Sequence, residues 1–114
     1  MRQTVADFIN DRDQVHDANP ESIYLTNGAS EAVRLAFQAL LRNSNDGILI
    51  PIPQYPLYSA LLTLGNGELL PYYLDEERNW GLDAEALETL VAKAIEDGIS
   101  PRAIVVINPG NPTG

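Results

Sequence analysis

Arg102-Ala103-Ile104-Val105-Val106-Ile107-Asn108-Pro109-Gly110-Asn111-Pro112-Thr113-Gly114 is the stretch whose reading decides the fold class. Arg102 to Ile107 reads as a strand, and its apolar run from Ala103 to Ile107 as a buried one. The Asn, Pro and Gly cluster that follows breaks the ladder. In α/β proteins the loop leaving the carboxyl end of a strand is where ligands sit. A chain that stops inside such a loop reads as a piece of an enzyme, cut within its active site.

Working back from there, helical and strand signals alternate. Asp83 is a candidate N-cap for a helix carrying Leu87, Leu90, Val91, Ala94 and Ile95 on one side, closed by Gly98. Asp75 to Trp80 is a charged connection, and Glu68 to Leu74 a strand. Leu57 to Leu64 is a short helix ended by Gly65-Asn66-Gly67, and Pro51 to Pro56 a rigid loop with three prolines. Ile48 to Ile50 is a strand, preceded by a helix whose apolar face is Val33, Ala36, Phe37, Leu40 and Leu41. Ser22 to Thr26 is a further strand, and Val5, Phe8 and Ile9 mark a first helix ending near Asp13. The order α-β-α-β-α-β-α-β predicts an α/β fold, a mostly parallel sheet flanked by helices. No repeat, low-complexity tract or linker divides residues 1–114, which read as one incompletely represented domain.

Bulk properties narrow the function classes. The chain has 114 residues, 45% of them hydrophobic, as in an ordinary globular domain. Seven basic residues against 16 acidic ones give a formal charge of −9, and no basic patch offsets it. Nucleic acid and anionic membrane surfaces are therefore poor partners. Without cysteine there is no disulfide, thiol nucleophile or Cys-ligated zinc, and no metal site is expected. The single histidine, His16, lies in the polar stretch Asp13 to Asn19 and reads as a surface loop residue. No apolar stretch approaches the roughly 20 residues that span a bilayer, and the N-terminus lacks the apolar core of a secretory signal.

Three motifs carry chemistry. In Tyr24-Leu25-Thr26-Asn27-Gly28-Ala29-Ser30-Glu31-Ala32, small residues lead into a helix whose first N–H groups and dipole suit a phosphate. The same residues also suit an ordinary turn with Ser30 as a cap. In Pro53-Gln54-Tyr55-Pro56-Leu57-Tyr58, an aromatic ring between prolines can form a flat wall for a planar ligand, or pack at the core's edge. In the closing turn, Asn111 can offer its amide to an anionic oxygen, aimed by a cis bond before Pro112; a generic turn has the same residues.

Taken together, the three motifs resemble those of the fold-type I aminotransferases that use pyridoxal 5'-phosphate, and within them the alanine aminotransferases. The similarity rests on LTNGASEA (25–32), GILIPIPQYPLY (47–58), YYLDEE (72–77) and VINPGNPTG (106–114). The last block is a general mark of the superfamily; the second and third are closer to the alanine enzymes. The resemblance implies that residues 1–114 are part of the large, cofactor-binding domain, truncated at the C-terminus and at the N-terminus. It implies that Ala29 and Ser30 hold the cofactor phosphate, that Tyr55 stacks on the pyridine ring, and that Asn111 contacts the phenolic oxygen and helps orient the substrate carboxylate.

The implied reaction moves an amino group between L-alanine and 2-oxoglutarate, giving pyruvate and L-glutamate. The implied partners are small amino and 2-oxo acids, and the implied parent is a homodimer in the cytoplasm or in mitochondria. Alternatives are another class I substrate specificity and a stand-alone module that binds a phosphate-bearing ligand without catalysis. The family's Schiff-base lysine, its acidic partner for the pyridine nitrogen and its two arginines all follow the Asn-Pro-Thr-Gly turn. No catalytic residue is therefore expected in this chain. Its one lysine, Lys93, reads as a solvated helix residue among acidic neighbours.

Overall fold

The computed structural model describes residues 1–14 and 17–114, so His16 lies outside the described residues. The chain divides into two compact units, Met1–Ala32 and Val33–Gly114. In the first, helix α1 (Arg2–Asp13) buries Ala6 completely, whereas Phe8, one of the apolar residues that mark the helix, is 60% exposed. The Arg12 guanidinium lies 5.6 Å from the Phe8 ring centroid, a cation–π contact at the surface. Gln14 ends α1 in the left-handed conformation. Asn19 then accepts a hydrogen bond from the Glu21 N–H and, with Pro20 behind it, nucleates a 3-10 turn at Pro20–Ser22.

That turn takes Ser22 away from the strand expected at Ser22 to Thr26. Ile23 is extended, but no described residue forms a ladder with Ile23 to Thr26, and Tyr24 is almost fully exposed. A strand exists through its neighbour, and β propensity alone does not make one. Three strands are therefore described where four were expected.

All three lie in the second unit. β1 (Asp46–Ile52) is central, with β2 (Glu68–Tyr73) and β3 (Ser100–Ile104) parallel to it on either side. β1 is buried on both faces, which explains its near-continuous apolar run. Its side chains alternate between two cores. Ile48 and Ile50 join Phe37 of α2 (Ala29–Leu40) and Leu62 of α3 (Leu57–Leu64) on one face. Leu49 joins Leu70, Tyr72 and Ala94 of α4 (Ala84–Glu96) on the other. The result is an α/β unit with a parallel sheet between helices, as the alternating pattern predicts. Gly47 allows close packing: a Cβ there would lie 2.9 Å from side-chain atoms of both Ile99 and Leu70, which would have to shift.

Two boundaries depart from expectation. Pro51 and Ile52, read as loop, complete β1 opposite Tyr72 and Tyr73. β3, read as a buried strand from Arg102 to Ile107, begins at Ser100, leaves the ladder after Ile104 and alternates exposed with half-buried residues because it is an edge. On the helices, Ala36 and Ile95 face solvent instead of the core. The Asp83 cap is as expected: its carboxylate accepts from the N–H groups of Glu85 and Ala86.

Candidate cofactor site

The strand order β2-β1-β3 contains a reversal. The chain moves from β1 outward to β2, then crosses back to lay β3 on the other side of β1. β1 and β3 are neighbouring parallel strands, so the loops leaving their carboxyl ends open at the same end of the sheet, and in open parallel sheets the crevice there is where ligands bind. Tyr55 stands on the loop after β1, between Pro53 and Pro56, with its side chain half exposed. Asn111 stands on the loop after β3 and is exposed. The bonds before Pro53, Pro109 and Pro112 are cis. Gly110 and Gly114 close the last turn through a 2.9 Å hydrogen bond from the Gly114 N–H. A Cβ at Gly110 would collide with the Thr113 hydroxyl, so a larger residue there would require the Thr113 side chain to move. The structure thus brings Tyr55 and Asn111 onto the loops of neighbouring strands.

Ala29 and Ser30 belong to the other unit, in the first turn of α2, and both are exposed. Gly28 before them has φ of +89° with open space where a Cβ would be, so its role is conformational. The Thr26 hydroxyl donates to the Gly28 carbonyl at 2.9 Å and fixes the approach to the helix. Taken singly, small exposed residues at a helix start suit an anion such as a phosphate, a flat aromatic face suits a planar ring, and a side-chain amide suits an anionic oxygen.

Beside this crevice is a cleft of about 300 Å³ lined by Pro51, Tyr72, Trp80, Asn108, Gly110 and Thr113 among others. Neither Tyr55 nor Asn111 lines it. Trp80 is held there by a closed loop: Asp75 donates its N–H to Gly81, and Asn79 and Trp80 both take positive φ. Tyr72 is buried, and its hydroxyl donates to the Val105 carbonyl at 2.6 Å; burial pushes its ionisation above the usual phenol range. The sequence marks Tyr72 only as part of YYLDEE, because a bond spanning 33 residues leaves no local signature.

Asp46 opens β1 at the end away from these loops. Its carboxylate is fully buried, accepts from the Arg42 N–H at 2.7 Å and lies 3.4 Å from the Arg42 Nε. Arg102 Nε is 3.8 Å from its other oxygen, close enough for charge attraction and too long for a hydrogen bond. Lys93 lies exposed on α4.

An α/β unit with exposed polar and aromatic groups on the loops after adjacent parallel strands is a frame shared by many ligand-binding proteins. The profile of the aminotransferase class I and II family matches residues 1–114, and the chain belongs to that family. Its members generally depend on pyridoxal phosphate. Over the whole chain it is 54% identical to an inactive alanine aminotransferase of Saccharomyces cerevisiae, covering 22% of that protein. It is also 54% identical to glutamate–glyoxylate aminotransferase 1 and to mitochondrial alanine aminotransferase 2, both of Arabidopsis thaliana, covering 24% and 21% of them. Its fold superimposes on an aspartate aminotransferase from Thermotoga maritima with a TM-score of 0.85 at 27% identity, covering 99% of this chain and 28% of the other. The chain thus spans under a quarter of the length of these curated relatives.

Proposed function

We propose that this chain contributes part of the pyridoxal 5'-phosphate site of an alanine aminotransferase, within the large domain of a longer homodimeric enzyme. Ala29 and Ser30 hold the phosphate, with the α2 dipole behind them. Tyr55 covers one face of the ring, and Asn111 contacts the phenolic oxygen and helps orient the substrate carboxylate. When bound, the cofactor would supply an electron sink for the reacting amino acid, and these residues would hold it in place. The overall reaction exchanges an amino group between L-alanine and 2-oxoglutarate. Relatives named as mitochondrial enzymes support a mitochondrial setting, with a cytoplasmic one as the alternative.

The observation that carries the alanine assignment is the identity to alanine aminotransferases, 52% and 54% over all 114 residues. The equal identity to a glutamate–glyoxylate aminotransferase supports a second reading, in which glyoxylate is the acceptor. Assaying the full-length enzyme with alanine, glutamate and aromatic amino acids against 2-oxoglutarate, pyruvate and glyoxylate separates the readings. Alanine with 2-oxoglutarate should give the highest kcat/KM. A strong preference for glyoxylate moves the assignment to the second reading, and a preference for aromatic substrates removes both.

A further inference from the structure

We propose that Tyr72 is a positioning residue for the Asn111 turn, its hydroxyl replacing a rung that the sheet cannot make. In a parallel ladder each residue of one strand bonds to the residues before and after its partner on the next. The register Leu49↔Ile104 makes Ile50 the partner of Val105. Val105 does donate its N–H to the Leu49 carbonyl, at 2.9 Å. The next rung would run from the N–H of residue 51 to the Val105 carbonyl, and residue 51 is proline, which has no N–H. The ladder therefore stops at this point, which is why β3 is shorter than its apolar run.

The Val105 carbonyl is not left bare. Tyr72 is paired with Pro51 on the far strand, β2, and reaches over β1 to donate its hydroxyl to that carbonyl at 2.6 Å. Beyond Val105 the chain leaves the sheet, and Asn111 is six residues on. The ring of Tyr72 also packs with Leu49, Leu70 and Ala94, so the hydroxyl is delivered from a fixed base. The turn carrying Asn111 is thus anchored by one backbone bond and one phenolic bond, and the second is a side-chain choice. This inference rests on the assignment of Asn111 to the cofactor site only for its consequence; the anchoring itself is a property of the strand.

The test uses the full-length enzyme with Tyr72→Phe, which keeps the ring and removes the hydroxyl, and Tyr72→Phe/Pro51→Ala, which returns an N–H to position 51. Hydrogen exchange of the peptide 106–114, followed by mass spectrometry, should quicken roughly two- to tenfold in Tyr72→Phe, the effect of one net hydrogen bond. It should return toward wild type in the double variant. Pyridoxal phosphate affinity, measured by equilibrium titration, should fall and recover in parallel. Unchanged exchange in Tyr72→Phe, or a change that Pro51→Ala fails to reverse, overturns the proposal. If Tyr72→Phe alone gives no soluble enzyme, recovery of folded protein in the double variant supports the replaced rung, and no recovery overturns it. Asn111→Ala separates the two levels. If it leaves cofactor affinity unchanged, the assignment of Asn111 fails, while the exchange data still decide the role of Tyr72.

Discussion

At the scale of single residues, the charged group with the largest structural consequence is far from the candidate site. Asp46 is fully buried, and the Arg42 N–H is the main influence holding its carboxyl below the usual aspartate range; burial works against it, and the Arg42 side chain and the charges of Arg42 and Arg102 reinforce it. The carboxylate is thereby tied to the loop after α2 and placed near the strand after α4, so both connections meet at the start of β1. A carboxyl whose folded pKa is depressed contributes stability above its unfolded value, about 3.9, and loses that contribution as pH falls through the folded one. Full-length enzyme should therefore lose thermal stability progressively below about pH 4. Asp46→Asn should be less stable at neutral pH, since an amide answers two arginines poorly, and should show a shallower acid limb. Melting temperatures of both proteins between pH 3 and 7 provide the check. Parallel acid limbs would mean that Asp46 does not contribute to the pH dependence.

At the scale of elements, signals differ in whether they are complete within a few residues. Helix α4 is legible because everything that starts and stops it is local. The Asp83 carboxylate accepts from the Glu85 and Ala86 N–H groups, and Gly98, at φ +79°, follows the last turn as Ile99 donates to Ala94. A peptide of residues 82–98 should keep this start signal. Asp83→Ala should cost about 0.5–1 kcal/mol of helix stability, near the low end of measured caps, and Asp83→Asn only a few tenths. Equal helicity by circular dichroism in all three peptides would show that the cap bonds are weak in solution. Strand limits are less legible because each needs a neighbour. Ile23 to Thr26 has the composition of a strand and lacks a ladder partner among the described residues. Pro51 reads as loop and becomes strand because Tyr72 lies opposite it. The apolar run after Arg102 continues to Ile107, yet the ladder stops where Pro51 lacks a donor. The loops bearing Tyr55 and Asn111 were readable from their prolines, whereas the Tyr72 bond behind the second was not.

At the scale of the whole molecule, the proposed cofactor role meets a sequence with one lysine side chain, Lys93. Lys93 lies exposed on α4, outside the crevice formed by the loops after β1 and β3. A lysine that reacts selectively with an aldehyde cofactor is normally presented in a dry pocket, against the carbonyl carbon, with its charge suppressed by burial. Lys93 occupies an exposed helix position, with Glu96 and Asp97 close by in sequence, and is not presented in such a pocket. The 114-residue chain, mixed with pyridoxal phosphate near its stoichiometric concentration and reduced with borohydride, should therefore carry no stoichiometric adduct on Lys93. Peptide mapping by mass spectrometry reads the result directly. Trace labelling that rises in proportion to cofactor concentration is the behaviour of an open surface amine and agrees with this expectation. A saturating adduct on Lys93, lost on Ser30→Ala or Asn111→Ala, would contradict it. That outcome would require Lys93 to reach a ligand held by those residues, and the chain would then be a cofactor-binding protein in its own right instead of a contributor to a larger site.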